Sequence, residues 1–167
     1  MDSKELTVVI VTFKSEPKIF DCLISIRNLA EIIVVENSNN DDFKKKLENK
    51  FSNLNCILTG KNLGYAAANN IGLKRVKTKY ALVLNPDTIL DENAIQRFVK
   101  SAESLKDFWL MGPASDQMVK LEFKENDVIE VDNLKGFAIF LNMSKFKNEY
   151  FDENFFLYFE ELIYAKK

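Results

Sequence analysis

Along the first hundred residues the apolar positions follow two alternating rhythms. Short continuous apolar runs, rich in β-branched residues, recur at Leu6–Phe13 (LTVVIVTF), Glu31–Glu36 (EIIVVE), Leu54–Thr59 (LNCILT) and Tyr80–Leu84 (YALVL). Runs of this length, bounded by turn residues, predict strands buried on both faces. Between them the apolar residues are spaced for helices. One helix is expected over Ile19–Asn28, with Pro17 at its start. A second opens at Asp41 or Asp42 and runs to about Phe51, a third is alanine-rich over Tyr65–Arg75, and a fourth runs from Asp91 or Glu92 to about Ser104. Phe108–Met111 reads as a short strand stopped by Gly112-Pro113. Beyond it the rhythm changes. Val119–Phe123 and Val128–Val131 predict short, more polar strands, Phe137–Leu141 a further buried strand, and Phe155–Tyr164 a helix. No repeat or linker interrupts the chain.

Strand–helix alternation predicts an α/β fold: a Rossmann-like, mostly parallel sheet with helices on both faces. In such sheets ligands bind beyond the carboxyl ends of the strands. The informative residues therefore follow each strand: Thr12-Phe13-Lys14-Ser15, Glu36-Asn37-Ser38-Asn39-Asn40, Gly60-Lys61-Asn62-Leu63-Gly64 and Asn85-Pro86-Asp87. Each loop alone is ordinary turn chemistry. Four polar loops on one sheet edge point to a polar ligand site.

Composition narrows the ligand. The chain has 167 residues, enough for one domain, and 47% are hydrophobic. Its 23 Lys+Arg against 25 Asp+Glu lack the basic excess of a nucleic-acid binder. It has no His, which removes histidine bases, nucleophiles and zinc ligands. Its two cysteines, Cys22 and Cys56, suit buried thiols in a reducing compartment. The first strand–helix turn carries no glycine, and no GxxxxGK[ST] occurs, so neither a dinucleotide fingerprint nor a P-loop is present. The opening MDSKEL has no signal-like pattern and no apolar run reaches a membrane span, so the expected location is the cytoplasm.

Two stretches carry chemistry. Asp87, just after an apolar strand, is placed to hold Mg²⁺ or Mn²⁺ through oxygen, with Asn85 beside it. Magnesium takes one or two protein carboxylates and completes its shell with phosphates and water. The competing reading of Asp87 is a turn or helix cap. In Asn62–Gly72 (NLGYAAANNIG), Gly64 permits a tight turn, and Asn69 and Asn70 lie inside a helix, where Asn is mildly unfavourable. A polar residue kept there faces a ligand or a neighbouring loop, or is simply exposed.

The stretches TVVIVTFKS (7–15), EIIVVENSNND (31–41), NLGYAAANNIG (62–72), YALVLNPDTIL (80–90) and YFDENFFLYFEE (150–161) occur in the order found in family 2 glycosyltransferases. The chain resembles that family, and its rhamnosyltransferase-like members most. The resemblance implies a GT-A fold in one domain over 1–167, with a donor-binding part at 1–113 and an abbreviated acceptor and catalytic part at 114–167. It implies an inverting, metal-dependent hexosyltransferase that moves a sugar from a nucleotide-diphosphate donor to a saccharide or lipid-linked acceptor in cell-surface polysaccharide synthesis. Thr12, Phe13 and Glu36 match the nucleobase and ribose loops. Asn62, Gly64 and Asn69 match the donor pocket. Asn85 and Asp87 match the metal-binding motif, with Asp87 as the ligand to Mg²⁺ or Mn²⁺. Glu160 and Glu161 match the family's acidic pair, whose second member, here Glu161, is the general base. Neighbours on a helix point about 100° apart, so the two cannot share one direction.

The chain departs from the family pattern at several positions. It has Glu at 36 and 161 where Asp is usual, Lys14 where Asn is common and Ile163 where a further Asp often stands. It ends at Lys167, where relatives usually continue. That leaves a second reading, a non-catalytic or truncated nucleotide-sugar binding module. A third, a sugar nucleotidyltransferase, lacks the glycine-rich basic loop it needs after the first strand. The aromatic run Phe155–Phe159 leaves homodimer formation and peripheral contact with the inner face of a membrane open.

Overall fold

The computed structural model describes residues 5–105, 107–113, 128–131, 134–147 and 150–154. The elements run β1 (Leu6–Thr12), α1 (Glu16–Ile26), β2 (Glu31–Glu36), α2 (Asp41–Lys50), β3 (Leu54–Leu58), α3 (Tyr65–Leu73), β4 (Tyr80–Leu84), α4 (Ala94–Leu105), β5 (Leu110–Met111) and β6 (Ala138–Asn142). They build a six-stranded sheet of order β3-β2-β1-β4-β6-β5. β1 pairs in parallel with both β2 and β4, and β2 pairs in parallel with β3. β6 returns antiparallel to β4 and to β5.

The alternation of side chains on β1 explains why the centre of the strand, Val8–Val11, is apolar without a break. Val8 and Ile10 pack with α1, α2 and α4 in one core, through Ile19, Leu23, Phe43, Leu47, Ile95 and Val99. Val9 faces the other side, where Ala66, Ala68 and Leu73 of α3 meet Val35, Val83, Tyr150 and Phe151. Handedness decides this division. The β1–α1–β2–α2–β3 path moves one way across the sheet, and right-handed crossovers place α1 and α2 on one face. The path from β3 back to β4 reverses direction, so α3 lies on the opposite face. The order reverses between β1 and β4, and their carboxyl-end loops part there to leave a crevice.

α3 lies very close to the sheet. A Cβ on Gly72 would stand 2.5 Å from Val9 Cγ1 and 3.1 Å from Val35 Cγ2. Both neighbours are β-branched, so neither can turn aside. Alanine would gain up to about 1 kcal/mol of helix propensity but overpack a filled core at about 1–3 kcal/mol. Gly72→Ala is therefore expected to destabilise the fold by about 1–2 kcal/mol net, measurable as a lower urea midpoint at unchanged slope.

Several boundaries differ from the expected ones for local reasons. α2 is capped by Asn40, whose side chain accepts from Phe43 N at 3.0 Å, and Asp41 and Asp42 fall in its first turn. Asp91 accepts from Asn93 N at 3.0 Å and closes a turn, so α4 starts at Ala94. Residues 128–131 form no strand, and Val128 and Ile129 are exposed. The strands and helix expected over Val119–Phe123 and Phe155–Tyr164 lie outside the described residues. Among those described, no helix is long and apolar enough to cross a membrane.

Candidate functional site

The four loops predicted to share one sheet edge do so. β1, β2 and β3 are in register at their ends, with Thr12 opposite Glu36 and Glu36 opposite Leu58. Thr12 and Glu36, register partners on parallel strands, lie side by side. Thr12 is fully buried, and its hydroxyl has no hydrogen-bond partner. Glu36 is 2% exposed and its carboxylate accepts from the Ser38 hydroxyl.

Burial pushes the Glu36 carboxyl above its ordinary range. The Ser38 hydrogen bond opposes that shift and the charge of Glu16 adds to it. A raised folded-state pKa means that stability falls as pH rises through the interval between the unfolded and folded values. Glu36→Gln is expected to raise the melting temperature at pH 8. The gain should shrink on acidification and vanish below about pH 4, where glutamate is protonated in both states. A gain that persists unchanged at low pH would show that the carboxylate charge is not its source.

Asn37 joins the second and third loops. It is buried, its Nδ2 donates to Asn62 Oδ1 (3.0 Å) and the Gly64 carbonyl (3.1 Å), and its Oδ1 accepts from Leu63 N (2.9 Å) and the Thr59 hydroxyl (3.2 Å). Asn62 Oδ1 also accepts from Gly64 N at 3.0 Å. Gly64 has φ of 83°, the left-handed region that a side chain would strain, and it opens α3. Asn69, fully buried in α3, donates to the Tyr65 carbonyl at 3.1 Å, and its Oδ1 is unpartnered.

Asn70, not among the expected site residues, ties α3 to the segment after β6. Its Nδ2 donates to the Phe151 carbonyl (2.8 Å) and to Glu153 (2.9 Å), and its Oδ1 accepts from Phe151 N (2.9 Å). Its mid-helix position was the signal for such a role, and the structure gives that role to a protein partner. Glu160 and Glu161 lie outside the described residues.

The crevice between β1 and β4 is a cleft of about 320 Å³ lined by Lys14, Ser15, Pro17, Lys18, Pro86 and Asp87. Asp87 also borders an adjoining hollow with Asp21 and Ile89. Phe13, 39% exposed, stands at the mouth of β1. Lys14 follows it with φ of 53°, and its ammonium lies over the Phe13 ring, 5.4 Å from the centroid. Across the cleft the Asn85 backbone is fixed from both sides. Asn85 N donates to the Phe137 carbonyl at 2.9 Å, and the Cys22 thiol donates to the Asn85 carbonyl at 3.7 Å. Burial, and then the negative charge of Asp87, push the Cys22 thiol up to about 12, so it stays a neutral donor.

The Asp87 carboxylate is half-exposed and 3.7 Å from Lys18 Nζ. Among the described residues no three carboxylates or thiols converge on one point. A complete protein cage for a metal is therefore absent there. A magnesium-like ion that takes one carboxylate and completes its shell from a phosphate ligand fits Asp87 in this open setting.

The sequence profile of glycosyl transferase family 2 matches residues 7–164. The low-salt glycan biosynthesis hexosyltransferase Agl10 of Haloferax volcanii is 25% identical over 185 residues, an alignment covering 95% of this chain and 59% of that protein. Among solved structures, S. aureus TarS superposes with a TM-score of 0.74 at 16% identity, over 96% of this chain and 32% of TarS. TarS 1-349 in complex with UDP-GlcNAc gives 0.71 at 16% identity, over 96% and 52%. The mannosyltransferase PcManGT from Pyrobaculum calidifontis, in complex with GDP-Man and Mn²⁺, gives 0.66 at 15% identity, over 83% and 44%. These likenesses show a GT-A fold. The chain spans about three-fifths of the curated relative's length.

Proposed function

The chain belongs to glycosyl transferase family 2, and on that premise we propose that it transfers a hexosyl unit, with inversion, from a nucleotide-diphosphate donor to a saccharide or lipid-linked acceptor during glycan synthesis at the cytoplasmic side. The observation that carries this reading is the crevice at the β1/β4 reversal, with Asp87 on one wall and Lys14 and Ser15 on the other. A relative named for hexosyl transfer in glycan biosynthesis supports it, as do structural neighbours that hold UDP-GlcNAc or GDP-Man.

In this reading residues 1–113 bind the donor. Phe13 offers a ring face to the base. Thr12 and Glu36 offer a hydroxyl and a carboxylate to the base or ribose. The 62–64 loop, held by Asn37, and Asn69 on α3 shape the sugar side. Asn85 and Asp87 face the diphosphate. Asp87 would hold Mg²⁺ or Mn²⁺, and the ion would stabilise the charge that grows on the departing diphosphate. As the donor's anomeric C–O bond breaks and the acceptor oxygen bonds that carbon, the hydroxyl proton needs a base. Without histidine a carboxylate takes it, and Glu161, with Glu160 beside it, is the candidate in residues 114–167.

The test is a thermal-shift and calorimetric screen of UDP, dTDP and GDP with Mn²⁺, Mg²⁺ or EDTA, followed by donor hydrolysis and transfer assays. Deoxyhexose donors come first because of the rhamnosyltransferase-like pattern. One nucleotide is expected to raise the melting temperature, and more so with metal, by mass action on the folded state. Absence of a shift with all three would overturn the reading. Binding without turnover would favour a donor-binding module.

A further inference from the structure

The cleft that would receive the donor pairs its carboxylate with a lysine. Lys18, on the first turns of α1, reaches across the crevice to 3.7 Å from Asp87 on the β4 loop. The two groups come from different elements, and both side chains are more than half exposed. They are therefore free to part at little cost, since an exposed pair of this kind adds little stability. Lys14 lines the same cleft, and Asp21 borders Asp87 on its outer side. Lys14 has positive φ without being glycine, the kind of backbone strain that gathers at ligand sites. Its ammonium is occupied over Phe13 rather than at Asp87. Among the described residues Lys18 is thus the cation in contact with the carboxylate.

We propose that Lys18 is a tethered counter-ion for Asp87, neutralising it in the metal-free cleft and surrendering it to a divalent ion when the donor diphosphate binds. The inference rests on the donor reading above. Its physical basis is charge. A bare Asp87 would repel a diphosphate, whereas the Lys18–Asp87 pair presents no net negative charge and the ammonium can swing to a phosphate oxygen. Once the metal sits between Asp87 and the phosphates, the lysine is no longer needed for neutralisation. It competes with the metal for the carboxylate before that point. Removing it should weaken metal-free binding while leaving metal-loaded binding unchanged or tighter.

The experiment measures the affinities of UDP and GDP by calorimetry, with Mn²⁺ and with EDTA, for the unsubstituted chain, Lys18→Met and Lys18→Arg. The readout is the factor by which Mn²⁺ tightens binding. Lys18→Met is expected to increase that factor about fivefold, the scale of a solvent-exposed charge contact, chiefly by loss of EDTA affinity. Lys18→Arg should keep it near the original value. Melting without ligand should be unaltered in both. An unchanged factor would overturn the inference, including the case where Lys18→Met weakens binding equally with and without metal, which would mark Lys18 as a plain phosphate contact. If neither nucleotide binds the unsubstituted chain, the donor reading fails first and the inference with it.

Discussion

Asp87→Ala is expected to lower sugar transfer at least about a hundredfold, the scale seen when a preorganised electrostatic stabiliser of a transition state is removed, while leaving the fold nearly as stable as before. The two halves follow from the same observation. Among the described residues Asp87 is the carboxylate that lines the β1/β4 cleft, where an ion would face the departing diphosphate. It is also half-exposed, and its 3.7 Å pair with Lys18 is solvent-accessible. Loss of such a pair costs about 0–1 kcal/mol. Transfer assays with a Mn²⁺ titration, paired with thermal melts, check both. Undiminished transfer in Asp87→Ala would remove the metal role and with it the proposed mechanism. A collapse in stability would instead make Asp87 a structural residue.

The largest stability effect is expected at Asn37. Its side chain is buried and makes four hydrogen bonds to residues 59–64. Alanine leaves Leu63 N and the Gly64 carbonyl without these partners, and each buried unsatisfied group costs about 1–3 kcal/mol. Water can reach some of the loop, so Asn37→Ala should cost about 3 kcal/mol in total. The same change frees the turn that holds Gly64 at φ of 83°. Donor affinity should therefore fall alongside stability. Urea denaturation and calorimetry with the best-binding nucleotide check the pair. Asn62→Ala is the comparison, since Asn62 is exposed and its Oδ1 accepts two of these bonds, from Asn37 Nδ2 and Gly64 N, and it should cost less. Equal effects from the two would show that the junction is not centred on Asn37.

Much of the sheet was legible because its pattern is local. YALVL, and LTVVIVTF apart from its two threonines, are apolar throughout, the pattern of a strand covered on both faces. Helical spacing and Pro17 announced α1, and the alanines of 65–73 announced a helix packed tightly on the sheet. Caps were less legible. Asn40, Asp41 and Asp42 are all acceptable at a helix start, and only the backbone path selects the one whose side chain reaches Phe43 N. The short polar strand expected at Val128–Val131 did not form, because a few apolar residues in a row do not by themselves fix a pairing in a sheet.

The candidate site divides along the same line. The sequence by itself determined which loops are polar and, through strand–helix alternation, that they open on one edge, where a ligand of this fold binds. It also put a lone carboxylate after β4. Only the tertiary structure decided which polar side chains in those loops are spent on the protein. Asn37 meets Asn62, 25 residues on, and Asn70 meets Phe151, 81 residues on. Asp87 stays open to solvent against Lys18. Periodicity records whether a position is buried, through spacings of two or three to four residues. The choice of a hydrogen-bond partner depends on which distant segments the crossovers bring together, and that is a property of the packed chain.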